Sequence, residues 1–77
     1  MALFKTKQFT VNAEKLNEGD PWPDGVKFDH NSQRMYVTTI QGEAVLISYG
    51  EWVITEPDGI HHYPCADDVF TRKYELA

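Results

Sequence analysis

The feature that most constrains this chain is the spacing of its turn signals. Past Gly25, the pairs Asn31-Ser32, Gln41-Gly42, Tyr49-Gly50 and the run Pro57-Asp58-Gly59 recur at short, nearly regular intervals. The segments between them are too short for packed helices and are rich in Val, Ile, Thr, Tyr and Trp, so they read as short strands. The spacing predicts strands over residues 26–29, 34–40, 44–48, 51–55 and 60–63, joined as a β-meander. Gln41-Gly42 sits at two-residue hairpin spacing, and Tyr49-Gly50 reads as a further tight reversal. Glu56-Pro57-Asp58-Gly59 places Pro and Gly where a β-turn favours them. Pro64 is expected to end the last strand, and residues 66–74 read as one short helix. Asp67 and Asp68 near its start and Arg72 and Lys73 near its end suit the helix macrodipole. Val69, Phe70 and Tyr74 are spaced to cover one end of a sheet.

Upstream, residues 4–11 are rich in β-formers and read as one strand, with Asn12 then capping a helical turn over 13–17 that Gly19 ends. The run Asp20-Pro21-Trp22-Pro23-Asp24-Gly25 cannot be regular structure, because its prolines lack amide donors and Asp-Gly favours a turn. Trp22 is there a stiff apolar plug, packed on the core or offered to a partner. The predicted fold is a strand-dominated α+β domain over residues 1–77: a small antiparallel β-meander or barrel-like sheet with one short C-terminal helix.

A chain of 77 residues folds to a surface of about 4,800 Å² from about 12,900 Å² extended, burying about 63%. That permits one thin core and no deep cleft with a supporting shell. The single Cys65 excludes an internal disulfide framework and suits a reducing compartment. No apolar run is long enough for a membrane helix, and the first ten residues carry Lys5 and Lys7 without a hydrophobic signal core. The formal net charge is −5, which disfavours non-specific nucleic-acid binding. All six charged side chains between Arg34 and Arg72 are acidic: Glu43, Glu51, Glu56, Asp58, Asp67 and Asp68. Such a stretch either steers a basic partner or keeps a small domain soluble.

Chemistry-bearing motifs are thin. His61-His62-Tyr63-Pro64-Cys65 is the first place to look for a metal, yet adjacent histidines on a strand face opposite ways and no second Cys completes a zinc set. Cys65 ahead of a helix could be an activated thiol, but a buried structural Cys is the commoner case. Asp67 and Asp68 at adjacent helical positions diverge, which favours helix capping over acid–base work. No phosphate loop, dinucleotide fingerprint, HExxH or calcium loop is present. The expectation is no enzyme, no metal and no cofactor.

The run Thr39-Ile40-Gln41-Gly42-Glu43, then Gly50-Glu51-Trp52-Val53-Ile54, then Gly59 to Tyr63-Pro64-Cys65-Ala66-Asp67-Asp68-Val69-Phe70, closing on Tyr74-Glu75, resembles a family of small uncharacterised phage and prophage proteins. The family's pattern runs T-L-E-G, then G-D-W-I-I, then G-x-x-Y-P-C-x-P-D-I-F, and closes with T-Y-E, and Gln8-Phe9-Thr10 resembles that family's first strand. The chain departs from the pattern at Glu51 for Asp, at Asp67 for Pro and in a longer turn at Glu56-Pro57-Asp58. The resemblance implies phage origin and a work site in the host cytoplasm. Within that frame Tyr63, Pro64, Cys65, Asp68 and Phe70 read as a structural corner joining the last strand to the helix.

The functional expectation is a non-enzymatic binding protein engaging a host or phage protein with a basic surface, for instance as an inhibitor of a bacterial defence system. Self-association is expected because the core is small. Trp22, Glu43, Tyr49, Trp52, Glu56, Asp58 and His61 are the candidate binding residues, the aromatic ones as anchors and the acidic ones on hairpin tips. Two alternatives stand beside it. A homo-oligomer could sequester a nucleotide, with Trp52, Tyr49 and His61 stacking the base, or the chain could be a minor virion or assembly component.

Overall fold

The computed structural model describes residues 2–5 and 10–76. Its strands are β1 (Ala2–Lys5), β2 (Thr10–Lys15), β3 (Lys27–Asp29), β4 (Arg34–Thr38), β5 (Ala44–Leu46), β6 (Trp52–Thr55), β7 (His62–Cys65) and β8 (Glu75–Leu76), and α1 spans Asp67–Lys73. The architecture is α+β and strand-dominated, with one short C-terminal helix. It has two sheets: five strands in the order β7-β6-β2-β1-β8, and three in the order β3-β4-β5. Every pairing is antiparallel.

The expected meander therefore breaks in two. β3, β4 and β5 form one meander and β6-β7 a hairpin in the other sheet, so residues 49–50 carry the chain between sheets instead of closing a hairpin. There the Gly50 amide donates to the Leu16 carbonyl and the Leu16 amide to the Glu51 carbonyl, which ties the crossing to the end of β2.

The N-terminal expectation fails most. Phe4 faces Val11 and Lys5 faces Thr10 across antiparallel β1 and β2, so residues 4–11 are not one strand. Thr6, Lys7, Gln8 and Phe9, the middle of that expected strand, lie outside the described residues. The helical turn over 13–17 is absent as well. Ala13, Glu14 and Lys15 have good helix propensity, but β2 is a central strand paired with β6 from Asn12↔Thr55 to Lys15↔Trp52. Pairing on both sides outweighs local preference.

Side-chain alternation then sorts two cores onto opposite faces of the large sheet. On one face Ala13, Ile54 and Phe70 are buried, with Val11, Trp52, Tyr63, Cys65 and Tyr74 packed around them. This is the side that α1 covers. On the other face Leu16, Val37, Ile47 and Val53 are buried, with Val26 and Met35 against them, and the three-stranded sheet forms the cover. The molecule is a helix, a sheet and a smaller sheet, stacked. Pro64 does not end β7, which runs on to Cys65. A proline is tolerated because β7 is an edge strand.

Turn chemistry fixes the hairpins. The β4–β5 loop has three residues, because Thr39 donates to the Glu43 carbonyl and Gly42 donates to the Thr39 carbonyl. Gly42 at φ 83° supplies the left-handed residue of a bulged three-residue hairpin. Gly25 has a stricter role: it holds φ 92°, and a Cβ there would collide with the His62 imidazole.

Candidate functional site

Two groups of aromatic side chains have different fates. Under α1, the Trp52 and Phe70 rings stack at 4.0 Å between centroids and 11° between planes, and Phe70 and Tyr74 follow at 4.8 Å. The Trp52 indole N–H donates to Asp67 Oδ1 at 2.8 Å, and Lys15 Nζ lies 3.4 Å from the same oxygen. These bonds hold the Asp67 carboxyl below its usual range, the Trp52 bond first and the Lys15 charge after it. Asp67 is therefore a latch from helix to sheet, not a cap; the N-cap residue Ala66 makes no side-chain cap bond. Sequence reasoning missed Lys15 as the third member. The signal that could have found it is its register opposite Trp52.

Around the small sheet, the rings are open. A cleft of roughly 550 Å³ is lined by Trp22, Phe28, Arg34, Met35, Leu46 and Tyr49, among others. Phe28 faces Met35 across β3–β4, and the Ile47 amide donates to the Met35 carbonyl. These residues share a face with Val37, which the large sheet covers. Toward the β3–β4 turn that cover ends, and Trp22 stands against Phe28 with ring centroids 6.3 Å apart. Trp22 is 41% exposed, Tyr49 43% and Leu46 54%.

Carboxylates brace the polar wall of this cleft. Asp29 accepts hydrogen bonds from the Asn31 amide at 3.1 Å and the Ser32 hydroxyl at 2.9 Å. Glu51 accepts one from the Ser48 amide at 2.7 Å. Ser32 and Ser48 both line the cleft. Phe28, the neighbour that completes the aromatic wall, was not among the sequence candidates, since its place on a short strand does not by itself show that its ring meets Trp22.

The remaining candidates scatter. Asp58 organises the β6–β7 turn: its carboxylate accepts from the Ile60 amide at 2.9 Å, the His61 amide at 3.0 Å and the His61 ring. The ring bond and then the two amide bonds lower its carboxyl to about 2. Asp58 is thus part of its hairpin's frame and not a replaceable tip charge. Glu56 lies half-buried at the base of that hairpin, and Glu43 is exposed at the β4–β5 tip, off the end of β4 opposite the cleft. The acidic stretch is not a row of free charges, because Glu51, Asp58, Asp67 and Asp68 each have an internal partner. Trp52, Tyr49 and His61 occupy three different places: the helix-side core, the cleft and the β6–β7 hairpin.

At the corner, Tyr63 and Cys65 sit half-buried in the helix-side cluster with Phe70 beneath α1. Burial, then a hydrogen bond with Tyr74, raises the Tyr63 hydroxyl above its ordinary value. Burial also pushes the Cys65 thiol up, with Lys73 partly offsetting it. A raised thiol is a poor nucleophile at neutral pH. Asp68 is exposed and lies 3.9 Å from Arg72 instead of joining the corner. Val69 is 41% exposed, so Phe70 is the buried residue of α1, with Tyr74 just past its end packed beside it. His62 faces away from Cys65, buried beneath Gly25, and burial lowers its imidazole below the ordinary value. Among the described residues no three His, Cys, Asp or Glu side chains converge as metal ligands, and no helix is long and apolar enough to cross a membrane. No family model, curated protein or solved structure matches the chain.

Proposed function

We propose that this chain is a small non-enzymatic binding protein whose partner is a protein with a basic surface. The observation that carries this reading is the open aromatic cleft. Trp22, Phe28, Leu46 and Tyr49 stay exposed while Trp52, Phe70 and Tyr74 pack the helix-side core. A chain with so little core spends several of its large side chains on the surface, where aromatic anchors are the usual energetic centre of an interface. The resemblance to phage and prophage proteins extends the proposal to origin and setting: a phage-encoded protein in the host cytoplasm, engaging a host or phage protein, with a bacterial defence system as the example.

Self-association belongs to the same proposal. Of the small sheet's two edges, β3 carries Lys27 and Asp29, whereas β5 is Ala44-Val45-Leu46 without a charge. An uncharged edge is the one open to strand pairing. The test is capture from bacterial lysate by the wild type, Trp22→Ala and Glu43→Lys, with native mass spectrometry of what is retained. The expected result is one stoichiometric partner with a basic surface, held by wild type and Glu43→Lys and lost by Trp22→Ala. Identical retention by all three proteins overturns the reading.

A further inference from the structure

We infer that the open edge of β5 pairs antiparallel with β5 of a second copy about a two-fold axis at Val45, so that each copy's β4–β5 hairpin tip completes the other's cleft. This rests on the self-association within the proposed function and specifies its geometry. The edges of the sheets select β5. In the large sheet, β7 carries Pro64, which has no amide to donate, and β8 is only two residues long. In the small sheet, β3 is guarded by Lys27 and Asp29. Among the described edge strands β5 has none of these guards, and its Leu46 is 54% exposed.

Backbone bonding then fixes the register. The Ile47 amide donates to the Met35 carbonyl and the Thr39 amide to the Glu43 carbonyl, so residues 43, 45 and 47 turn their backbone groups toward β4. Ala44 and Leu46 turn theirs to the open edge. The groups beyond them are engaged: the Gly42 amide bonds the Thr39 carbonyl, and Ser48 bonds Glu51 through both its amide and its carbonyl. A pairing centred on Val45 sets Ala44 against the second copy's Leu46, and Leu46 against its Ala44, with both hydrogen bonds of each pair made. Centring on Ala44 or Leu46 would spend a free residue on Gly42 or Ser48, whose amides are taken. The two-fold also sets a large side chain beside a small one, a match that a second copy supplies by symmetry.

The same register carries charge to the cleft. The second copy's Glu43 falls opposite Ile47 and its Gly42 opposite Ser48, with the exposed Ile40 at that tip reaching toward Tyr49. Ile47, Ser48 and Tyr49 line the cleft, and Arg34 is the one charged residue of that lining. Among the described residues no ion pair engages Arg34 or Glu43. Asp29 faces Arg34 in register but accepts from Asn31 and Ser32 instead. Within one copy Glu43 lies at the end of the sheet away from the cleft; the two-fold delivers the second copy's Glu43 to the end where Arg34 lies unpaired. The Trp22–Phe28 end of the cleft stays uncovered, so a single chain can still hold a partner there.

The experiment is disulfide cross-linking of the full chain under mild oxidation, with wild type, whose one thiol is Cys65, as control. In a non-hydrogen-bonded antiparallel pair the Cα atoms lie about 4.5 Å apart, within disulfide range. Val45→Cys should therefore cross-link to a dimer at tens of micromolar at least about tenfold faster than Ala44→Cys, Leu46→Cys or wild type. The Ala44 and Leu46 amides should gain hydrogen-exchange protection as wild type is concentrated, which reads the register even if Val45→Cys fails to fold. Glu43→Lys and Arg34→Glu should each raise the dimer dissociation constant about threefold or more, and the double variant should restore it. Cross-linking no faster at 45 than at 44 or 46, or unprotected amides at 44 and 46 in concentrated protein, overturns the inference. So does a double variant no tighter than either single one. If wild type is a dimer without these signatures, this inference falls and self-association stands. If wild type sediments as one chain, both fall, and capture of a lysate partner through Trp22 still decides the binding-protein reading.

Discussion

The two faces of the five-stranded sheet use aromatic side chains in opposite ways. On the helix side, Trp52, Phe70 and Tyr74 form a continuous stack, and the one polar edge of Trp52 is tied to Asp67. On the small-sheet side, the core is aliphatic, Leu16, Val37, Ile47 and Val53, and the nearby rings of Trp22, Phe28 and Tyr49 stand at its rim. An aliphatic core fills the space between two sheets without rings, which leaves the rings on that side available for contacts outside the chain. The helix has a single buried residue, Phe70, so it needs the aromatic stack to stay docked. On the proposed reading, stability and recognition fall to different faces.

The largest blow to this division is Phe70→Ala. Phe70 is 1% exposed, and its loss should destabilise by about 3–5 kcal/mol and undock α1, read by urea denaturation. Trp22→Ala should cost far less in the same assay, about 1 kcal/mol, since that ring is 41% exposed and belongs to neither buried cluster. Gly25→Ala comes next, at about 2–3 kcal/mol, because it adds positive-φ strain to a collision with His62. Gly42→Ala, at similar φ in open space, should cost about 1 kcal/mol.

The boundary between the faces is legible from sequence only in part. Turn chemistry located β3 to β7 and the helix, since Asn31-Ser32, Gln41-Gly42 and Pro57-Asp58-Gly59 act within a few residues. The N-terminal hairpin was not legible, because residues 6–9, Thr-Lys-Gln-Phe, carry none of the usual turn residues. Nor was β2, where local helix propensity at Ala13-Glu14-Lys15 competes with long-range pairing. Trp22 and Tyr49 could be singled out as large rings in loops. That they share a cleft with Phe28, and that Trp52 does not, depends on which sheet each strand joins. The turn at Tyr49-Gly50 is ambiguous on that point.

A pH series sharpens the comparison at His62, the buried imidazole between β7 and the Gly25 loop. Burial lowers its folded-state value below the ordinary 6.5, so the unfolded chain binds this proton more tightly. Its contribution to stability is therefore complete above 6.5 and declines as pH falls below it toward the folded value. Urea midpoints should drop between pH 7 and 5, and His62→Gln should flatten that slope.

Assembly gives a still smaller stability effect. Leu46→Lys on the exposed face of β5 should change folding stability by no more than about 0.5 kcal/mol. It should also convert a species of twice 8.9 kDa to the single chain in sedimentation at tens of micromolar. Wild type sedimenting as one chain would remove self-association from the account.

The most direct test of the division between faces pairs two measurements on Trp22→Ala: its urea midpoint, and its affinity for the partner captured by the wild type. The account predicts a midpoint shift far smaller than that of Phe70→Ala and affinity lower by at least about tenfold, the loss expected for an interface anchor. An unchanged affinity together with a fallen midpoint would contradict it, because Trp22 would then serve the fold and the cleft would not be where this protein meets its partner.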